Sequence, residues 1–342
     1  MVSKEVSDIK EEVTGKKTEK KIKKKEEKEK KISDLPGIGP TAVQKLEDAG
    51  IYDLMGIAVL GAKELSEISG LGEAVARKAI QASRKMMSLG FQTGFEYSQK
   101  RIEIKKITTG SQNLNELLGG KGIETKAITE AFGAYGSGKT QLGLTLAVKT
   151  QLPHEMGGAE GKAVYIDTEG TFRPERVRQI AKALDLNPEE VLKNIFVARA
   201  FNSDHQILLI DKVGEMVKDG EPIRLVVVDS LTAHFRAEFS GRGQLADRQQ
   251  KLNKYMHNLM KMAEQHNVAV YVTNQVMANP AMMFGDPTTA IGGNIVGHAS
   301  TYRMYLRRGK KGSRVAKLID SPNLPDNETM FFIGEKGVCD EV

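Results

Sequence analysis

Short apolar runs alternate with longer amphipathic segments along the chain from residue 108 onward. Five of the apolar runs predict strands, at 127–132, 163–167, 194–198, 225–229 and 268–274. The segments between them have the apolar spacing of helices, over 141–148, 175–184, 203–218 and 244–265. Strands buried on both faces have continuous apolar runs, so this alternation predicts an α/β fold with a mostly parallel sheet between helices. Three further runs, 300–306, 314–320 and 329–333, follow one another without helices and predict an antiparallel edge.

Residues 32–88 contain two copies of one short pattern, 33 residues apart. The copies are Leu35-Pro36-Gly37-Ile38-Gly39 and Ile68-Ser69-Gly70-Leu71-Gly72, and an amphipathic helix follows each. The pattern resembles the helix-hairpin-helix module, in which the glycines expose backbone N–H groups to a DNA phosphate. The alternative is a small helical bundle whose hairpins only pack or contact protein. We predict a small all-α domain with non-specific DNA contact.

Two segments lack a pattern that would form a core. Residues 1–31 carry twelve Lys and eight Asp or Glu, which predicts either a flexible charged tail or an exposed helix with (i, i+4) ion pairs. The segment 89–107 reads as a linker that contains Phe91 and Phe95, followed by a polar helix over 96–101. The linker phenylalanines either pack on their own domain or dock on a neighbouring subunit, and the spacing favours neither.

Composition narrows the class of protein. A chain of 342 residues has room for about two domains. Its net charge is +6, of which the first 31 residues supply +4, so any nucleic-acid site in the folded part is a local patch. The sequence has no apolar run long enough for a membrane span and no secretory signal at its start. The single cysteine, Cys339, suits a reducing compartment, and we expect a cytoplasmic protein without a membrane partner.

The clearest chemical signal is Gly133-Ala134-Tyr135-Gly136-Ser137-Gly138-Lys139-Thr140, which fits the phosphate-loop pattern G-x-x-x-x-G-K-[ST]. A predicted strand precedes it and a predicted helix follows it, as the pattern requires. Glycines allow backbone N–H groups to surround a phosphate, and the positive end of the helix faces the anion. Lys139 would reach the β- and γ-phosphates, and the Thr140 hydroxyl would bind Mg²⁺. The sequence therefore predicts a site for a nucleoside triphosphate.

Two carboxylates follow other predicted strands. Asp229 ends the run 225–229, where a Walker B carboxylate would hold Mg²⁺ through water. Glu169 follows the run 163–167, and the carboxyl ends of the strands in a doubly wound sheet converge on the ligand. Glu169 could orient or deprotonate the water that attacks the γ-phosphate. The alternative is a cap or ion pair before the helix 175–184.

Two long polar segments follow the later strands. Gln275 ends the run 268–274 and could bind the γ-phosphate and report its loss to the segment 276–293. The other segment, 236–243, carries arginines, and Arg248 lies just beyond it. Loops of this length in a compact domain are usually functional or disordered. Together the two loops suit a groove for single-stranded nucleic acid, and plain surface loops are the alternative.

Longer motifs show a resemblance that covers residues 32–342. They are IDTEGTFRPER at 166–176, ARAFNSDHQ at 198–206, SGRG at 240–243, TNQV at 273–276 and DSPNLPD at 320–326. In these motifs the chain resembles the archaeal RadA recombinases of the RecA superfamily. The resemblance implies a RecA-like P-loop ATPase core over 108–342, preceded by the helix-hairpin-helix domain and a linker with a polymerisation motif.

The resemblance also implies roles for individual residues. The catalytic set is Glu169, Lys139 and Gln275, with Glu169 activating the water. The ATP-binding set is Gly133, Ala134, Tyr135, Gly136, Ser137, Gly138, Lys139, Thr140, Gln141, Arg176, Asp229, Asp320 and Pro325. Within it, Arg176 would stack on adenine, Thr140 and Asp229 would hold Mg²⁺, and Asp320 would come from a cap on the adjacent protomer. Asp320 and Asp326 together would hold a monovalent cation such as K⁺.

Contacts with DNA and with other subunits are implied in the same way. The DNA-contacting set is Arg236, Arg242, Arg248, Gly292 and Gly293, with the loop 276–291. Phe91 becomes the anchor that inserts into the next subunit, and Gly94 takes the place of the small residue after it. Two positions depart from the common pattern. Asn294 stands where many archaeal relatives carry His, which weakens the case for a histidine sensor, and Gly94 replaces an alanine, which would weaken docking.

The function that these signals predict is a DNA-dependent ATPase of recombination and repair. It would form a helical filament on single-stranded DNA and pair that strand with homologous double-stranded DNA, in association with the nucleoid. Three alternatives stay open: a recombinase paralogue that acts as a mediator, a ring-forming helicase on the same core, and an ATP-driven protein switch without nucleic acid. A ring in the absence of DNA is also compatible with the sequence.

Overall fold

A computed structural model of the protein describes residues 31–87, 91–239, 241–278 and 288–341. The predicted tail therefore lies outside the described residues, except for Lys31. The chain divides into two compact units, residues 1–96 and 97–342, and each has its own core.

The first unit is all-α, as the repeat predicts. After a 3₁₀ turn at Ile32–Asp34, its helices are α1 (Pro40–Asp48), α2 (Leu54–Ala58), α3 (Ala62–Ser69) and α4 (Glu73–Met86). Gly39 and Gly72, the last glycines of the two repeats, are the N-caps of α1 and α4. Leu46, Ile57 and Leu65 are completely buried between the helices. A further helix, α5, spans Gly94–Lys100, where the sequence predicts a helix over 96–101.

The second unit is built on a nine-stranded sheet. Its strands are β3 (Ala127–Phe132), β4 (Lys162–Asp167), β5 (Ile195–Arg199), β6 (Ile223–Asp229), β7 (Ala269–Asn274), β10 (Tyr302–Arg308), β11 (Arg314–Asp320), β12 (Asn327–Gly334) and β13 (Gly337–Cys339). Their order across the sheet is β13-β12-β11-β10-β3-β7-β6-β4-β5. Two small antiparallel pairs join β1 (Lys106–Ile107) to β2 (Ile123–Glu124) and β8 (Val276–Ala278) to β9 (Thr288–Ala290). The predicted α/β fold with a mostly parallel sheet is confirmed.

The helices of this unit are α6 (Gln112–Leu117), α7 (Lys139–Lys149), α8 (Pro174–Ala183), α9 (Pro188–Lys193), α10 (Ser203–Lys218), α11 (Ala233–Glu238), α12 (Leu245–His266) and α13 (Gly293–Ala299). Short 3₁₀ turns occur at Arg101–Glu103, His154–Met156 and Arg242–Gln244. No helix in the described parts of the chain is long and apolar enough to cross a membrane.

The predicted antiparallel edge is confirmed, and it includes one more strand. The strands β10, β11, β12 and β13 pair antiparallel in that order, and β10 also pairs with β3 in parallel on its other side. The parallel pairing with β3 was not predicted, and it is possible because α13 precedes β10 and lets the chain cross back before β10 begins, as a parallel connection requires. This helix of seven residues is too short to show a periodic pattern.

Alternate residues of the central strands point to opposite faces of the sheet, where separate cores cover them. Tyr165 of β4 packs in the core that contains α7 and α8, and its neighbour Val164 packs in the core that contains α10 and α12. Because β3, β4, β6 and β7 pair in parallel, their carboxyl ends lie along one edge of the sheet. That edge carries the residues with predicted chemistry.

Candidate active site

The phosphate loop connects the end of β3 to the start of α7. Gly138 is the N-cap of α7 and has a φ of 105°, a conformation that L side chains rarely adopt. At Gly133 a Cβ would lie 2.0 Å from the carbonyl oxygen of Leu306, so only glycine fits there. The loop is thereby held close to the sheet, and the N-terminus of α7 opens toward the cleft as an anion site.

Lys139 closes over this loop. Its Nζ donates to the carbonyl oxygens of Gly133, at 2.7 Å, and Ala134, at 3.0 Å. Burial lowers the pKa of the Lys139 amine, and the negative charges of Asp229 and Glu169 act in the opposite direction. The ammonium group thus lies inside the loop that is predicted to bind the β- and γ-phosphates of a nucleotide.

Asp229 is a buried carboxylate surrounded by hydroxyl groups. Its Oδ2 accepts hydrogen bonds from Thr140 Oγ1 at 2.7 Å, Tyr165 OH at 2.7 Å and Thr171 Oγ1 at 3.2 Å. Its Oδ1 accepts from Thr273 Oγ1. Burial, and next the charge of Asp229, raises the pKa of the Tyr165 phenol well above its usual value, so Tyr165 stays a donor. The Thr140 hydroxyl and the Asp229 carboxylate are hard oxygen ligands, and they fit a Mg²⁺ ion at this point.

The segment that carries Glu169 is shaped by Asp167, which sequence reasoning did not single out. The Asp167 carboxylate accepts four consecutive backbone N–H groups, those of residues 169–172, at 2.7 to 3.1 Å. Arg199 also contacts it, at 3.2 Å. An aspartate that bonds the backbone just after itself forms an Asx turn, and the Asp-Thr-Glu-Gly sequence is a signal for one. Asp167 therefore fixes where the Glu169 side chain begins.

Glu169 is linked to the loops through Gln275. Gln275 Nε2 donates to Glu169 Oε1 at 2.7 Å, and Arg236 Nη1 donates to Gln275 Oε1 at 3.1 Å. Glu169 and Gln275 line the same cleft as the phosphate loop, with a volume of about 710 Å³. This volume lies within the usual range of small-molecule sites. A hydrogen-bonded path thus runs from the cleft to Arg236 on α11.

Arg176 and Gln141 lie together beside the start of α7. Arg176 Nε donates to Gln141 Oε1 at 2.8 Å, and Nη2 donates to the carbonyl oxygen of Gly334 at 2.5 Å. Burial lowers the pKa of the Arg176 guanidinium. Gln141 lines the cleft, as do Ile333 and Arg314, which sequence reasoning did not identify, whereas Arg176 does not line it. Stacking of Arg176 on adenine stays a prediction.

Other predicted site residues lie away from the cleft. Asp320, Pro325 and Asp326 are exposed and do not line it. Among the described residues, no group of three or more His, Cys, Asp or Glu side chains could hold a metal ion. Phe91 is fully exposed, and Gly94 is the first residue of α5.

The structure describes only some of the residues that are predicted to contact DNA. Arg236 lies on α11 and Arg248 on α12, whereas the Arg242 side chain and residues 279–287 lie outside the described part of the chain. Gly292 and Gly293 have positive φ values and begin α13. The segment 276–293, predicted to lack regular structure, has short paired strands at its two ends, β8 and β9. Three-residue strands are too short for an alternating pattern to reveal them.

Comparisons with known proteins agree with this geometry. Residues 100–341 match the Rad51 protein family, and residues 29–85 match the SAM-like helix-hairpin-helix tandem family. The DNA repair and recombination protein RadA of Aeropyrum pernix is 53% identical over 311 residues. The match covers 91% of this chain and 97% of that relative.

Proposed function

Since the chain belongs to the Rad51 family, we propose that it assembles on single-stranded DNA as a helical filament and promotes homologous pairing and strand exchange. It is a recombination and repair protein whose reaction is DNA-dependent hydrolysis of ATP. The observation that supports coupling between these activities is the path from Glu169 through Gln275 to Arg236. One end of that path, Glu169, lies in the cleft that would bind the nucleotide. The other end, Arg236, lies on α11.

ATP would lie on the phosphate loop, with Lys139 on its β- and γ-phosphates. Mg²⁺ would be held by Thr140 and, through water, by Asp229, and when bound it neutralises charge on the phosphate oxygens. Glu169 accepts the proton of the attacking water, and Gln275 holds the Glu169 carboxylate in position. Arg176 would stack on the adenine, because its planar guanidinium suits a π face.

DNA would be bound along the loops at the carboxyl edge of the sheet. Arg236, Arg242 and Arg248 supply positive charge, and the loop 276–291 with Gly292 and Gly293 completes the groove. Such a groove binds the charged phosphates of the DNA backbone and the flat faces of the bases, so the affinity is largely independent of base sequence. The helix-hairpin-helix domain adds a second, non-specific contact through its glycine turns.

Assembly would place the ATP of one protomer against the next. In this proposal Asp320 and Pro325 of the adjacent protomer cover the nucleotide, and Asp320 with Asp326 holds K⁺. Phe91 inserts into the neighbouring core from a linker that we place at 89–107, between a domain at 32–88 and the ATPase core at 108–342. A closed ring without DNA and an association with the nucleoid belong to the same proposal.

Replacing Gln275 with Ala is expected to reduce the stimulation of hydrolysis by single-stranded DNA. A hydrogen bond to a charged group contributes about 1.5–3 kcal/mol, so the ratio of stimulated to basal rate should fall by about 10- to 100-fold. The measurement is steady-state ATP hydrolysis with and without DNA. Gln250→Ala, at an exposed position of α12, is the matched control. If Gln275→Ala keeps full stimulation, the proposed coupling through Gln275 is wrong.

Removing Arg236 on α11 or Arg248 on α12 is expected to weaken DNA binding without changing the preference for particular bases. Each lost phosphate contact should lower the slope of log K against log salt by about 0.7, the value for single strands. Fluorescence titration of Arg236→Ala and Arg248→Ala at several salt concentrations measures this slope. Arg178→Ala, at a partly exposed position of α8, is the control and should leave the slope unchanged. An unchanged slope in both loop variants would remove these residues from the DNA site.

The function as a whole is tested by ATP hydrolysis with and without single-stranded DNA, run beside a strand-invasion assay. Stimulated hydrolysis with invasion is the expected result. Stimulated hydrolysis without invasion would favour a mediator paralogue or a helicase. Hydrolysis that does not respond to DNA would overturn the nucleic-acid assignment and leave an ATPase.

A further inference from the structure

A buried acidic residue lies below the phosphate loop. Glu130 is on β3, three residues before Gly133, and its side chain is completely buried. Its Oε2 accepts from Arg303 Nε at 2.7 Å, and its Oε1 accepts from Asn274 Nδ2 at 2.7 Å. A buried carboxylate is tolerated only when partners replace the water that it loses. Both partners here are supplied by adjacent strands, β10 and β7.

Asn274 is a junction between three segments. Its Nδ2 donates to Glu130 and also to the carbonyl oxygen of Ile291, at 2.6 Å. Its Oδ1 accepts from Thr232 Oγ1 at 2.9 Å. Asn274 and Thr232 are both buried, so water does not compete for these bonds. One side chain thus fixes the spacing of β3, the residue before α11 and the end of the loop 276–291.

Each of these segments leads to a part of the proposed machinery. Thr232 is the N-cap of α11, which carries Arg236. Ile291 ends the loop 276–291, and its N–H donates to the carbonyl oxygen of Gln275 at 3.1 Å. Gln275 itself directly follows Asn274 in the chain. The bases of both loops are therefore tied to the strand that runs into the phosphate loop.

Arg303 extends the same cluster to α13. Its side chain is 17% exposed, and its guanidinium lies 5.3 Å from the centre of the Phe132 ring. On its other side it lies against Gly297 of α13, where a Cβ would be 3.1 Å from Nη1. The helix that follows the loop 276–291 therefore contacts Arg303, and the ion-pair partner of Arg303, Glu130, also accepts from Asn274.

We propose that Asn274 and Glu130 are positioning residues for DNA-stimulated hydrolysis, because they fix the bases of both DNA loops against the phosphate-loop strand. When DNA binds in the loops, Ile291 and Thr232 move together only if both stay hydrogen-bonded to Asn274. Gln275, one residue further on, then presents its amide to Glu169 in the orientation that the loops set. This inference rests on the proposed function and assigns roles to residues that make no contact with nucleotide or DNA.

The test is a double swap, Glu130→Gln with Asn274→Asp. The new carboxamide on β3 can donate to the new carboxylate on β7 and accept from Arg303, and that carboxylate can still accept from Thr232. The swap therefore keeps the contacts within the core, but it removes the donor to the Ile291 carbonyl and sets a carboxylate against that oxygen. We expect the basal hydrolysis rate to stay close to wild type and the thermal midpoint to fall only by several degrees, because one buried carbonyl loses its donor. The stimulation by single-stranded DNA is expected to fall about fivefold or more, as for an unpaired buried carbonyl.

A second pair of variants keeps the test decisive if the swap does not fold. Thr232→Val removes the donor to Asn274 Oδ1, and the Thr232 side chain makes no capping hydrogen bond in α11. Thr129→Val is the matched control, because Thr129 Oγ1 is buried on β3 and has no hydrogen-bond partner within the described structure. Thr232→Val should lower the DNA stimulation and the affinity for single-stranded DNA, and Thr129→Val should change neither.

The outcomes separate this inference from the proposed function. A wild-type chain that DNA does not stimulate would overturn the proposed function. If wild type is stimulated and both the swap and Thr232→Val keep its stimulation ratio, the inference alone is wrong. A purely structural role would also contradict it, since basal and stimulated rates would then fall together with the thermal midpoint and their ratio would not change.

Discussion

Replacing Glu169 with Gln is expected to slow ATP hydrolysis on single-stranded DNA by about 10²–10⁴-fold, the usual contribution of a positioned general base. Gln has nearly the shape of Glu, and its carboxamide oxygen can still accept from Gln275 Nε2, which lies 2.7 Å from Glu169 Oε1. The geometry of the cleft is therefore kept, and only the basicity and the charge are lost. Binding of ATP should be retained, because in the proposed site the phosphate loop and Lys139, and not Glu169, would bind the phosphates.

Single-turnover hydrolysis and binding of a fluorescent ATP analogue measure the two effects separately. Glu175→Gln is the matched control, since Glu175 is an exposed acid in the first turn of the next helix, α8. The control should hydrolyse ATP at the wild-type rate. A loss of only a few fold in Glu169→Gln would mean that another group activates the water, and equal loss in binding would mean that Glu169 holds ATP.

The central strands β3, β4, β6 and β7 could be predicted because each is a largely apolar run buried on both faces. Val226, Val227 and Val228 of β6 are all completely buried, and the run that they form ends at Asp229. The phosphate loop could be predicted because its residues are consecutive in the chain. The position of Asp229 and of the phosphate loop along the chain was therefore sufficient to predict that they lie close together, since the carboxyl ends of parallel strands share an edge.

Contacts between distant segments could not be predicted in this way. Asn274 bonds Glu130, 144 residues earlier, and Asp229 accepts from Thr140, 89 residues earlier. No spacing rule relates such pairs, because their proximity depends on the order of strands in the sheet. The parallel placement of β10 was missed for the same reason. Sequence reasoning therefore identified the residues that line the cleft better than the residues that position them.

The two carboxylates of the cleft differ in how they are held, and the difference fits their proposed roles. Asp229 is buried and accepts four hydroxyl groups, an arrangement that fixes both of its oxygens. Glu169 is exposed, and Gln275 binds its Oε1. A metal ligand benefits from a fixed position, whereas a general base must reach a water molecule and respond to Gln275. Removal of Gln275 should therefore affect Glu169 more than Asp229.

Replacing Phe91 with Ala is expected to prevent filament formation. The Phe91 side chain is fully exposed in this chain, although burying a large apolar side chain is favourable. Truncating a buried Phe costs about 3–5 kcal/mol, which is about 10²- to 5 × 10³-fold in each subunit contact. Every protomer within a filament makes this contact twice, once as donor and once as acceptor, so the loss is repeated along the assembly. Sedimentation velocity and electron microscopy with ATP and DNA measure it.

Two further variants show whether the Phe91 effect is specific. Met156→Ala removes another exposed apolar side chain, and it should assemble as wild type does. Gly94→Ala restores the alanine that the polymerisation motif usually has, and a Cβ at Gly94 meets no atom within 4 Å in this chain. Ala also has a higher helix propensity than Gly, which favours the helix α5 that begins there. We therefore expect Gly94→Ala to associate at least as tightly as wild type. Filaments of Phe91→Ala with normal length and ATP turnover would mean that another surface joins the protomers.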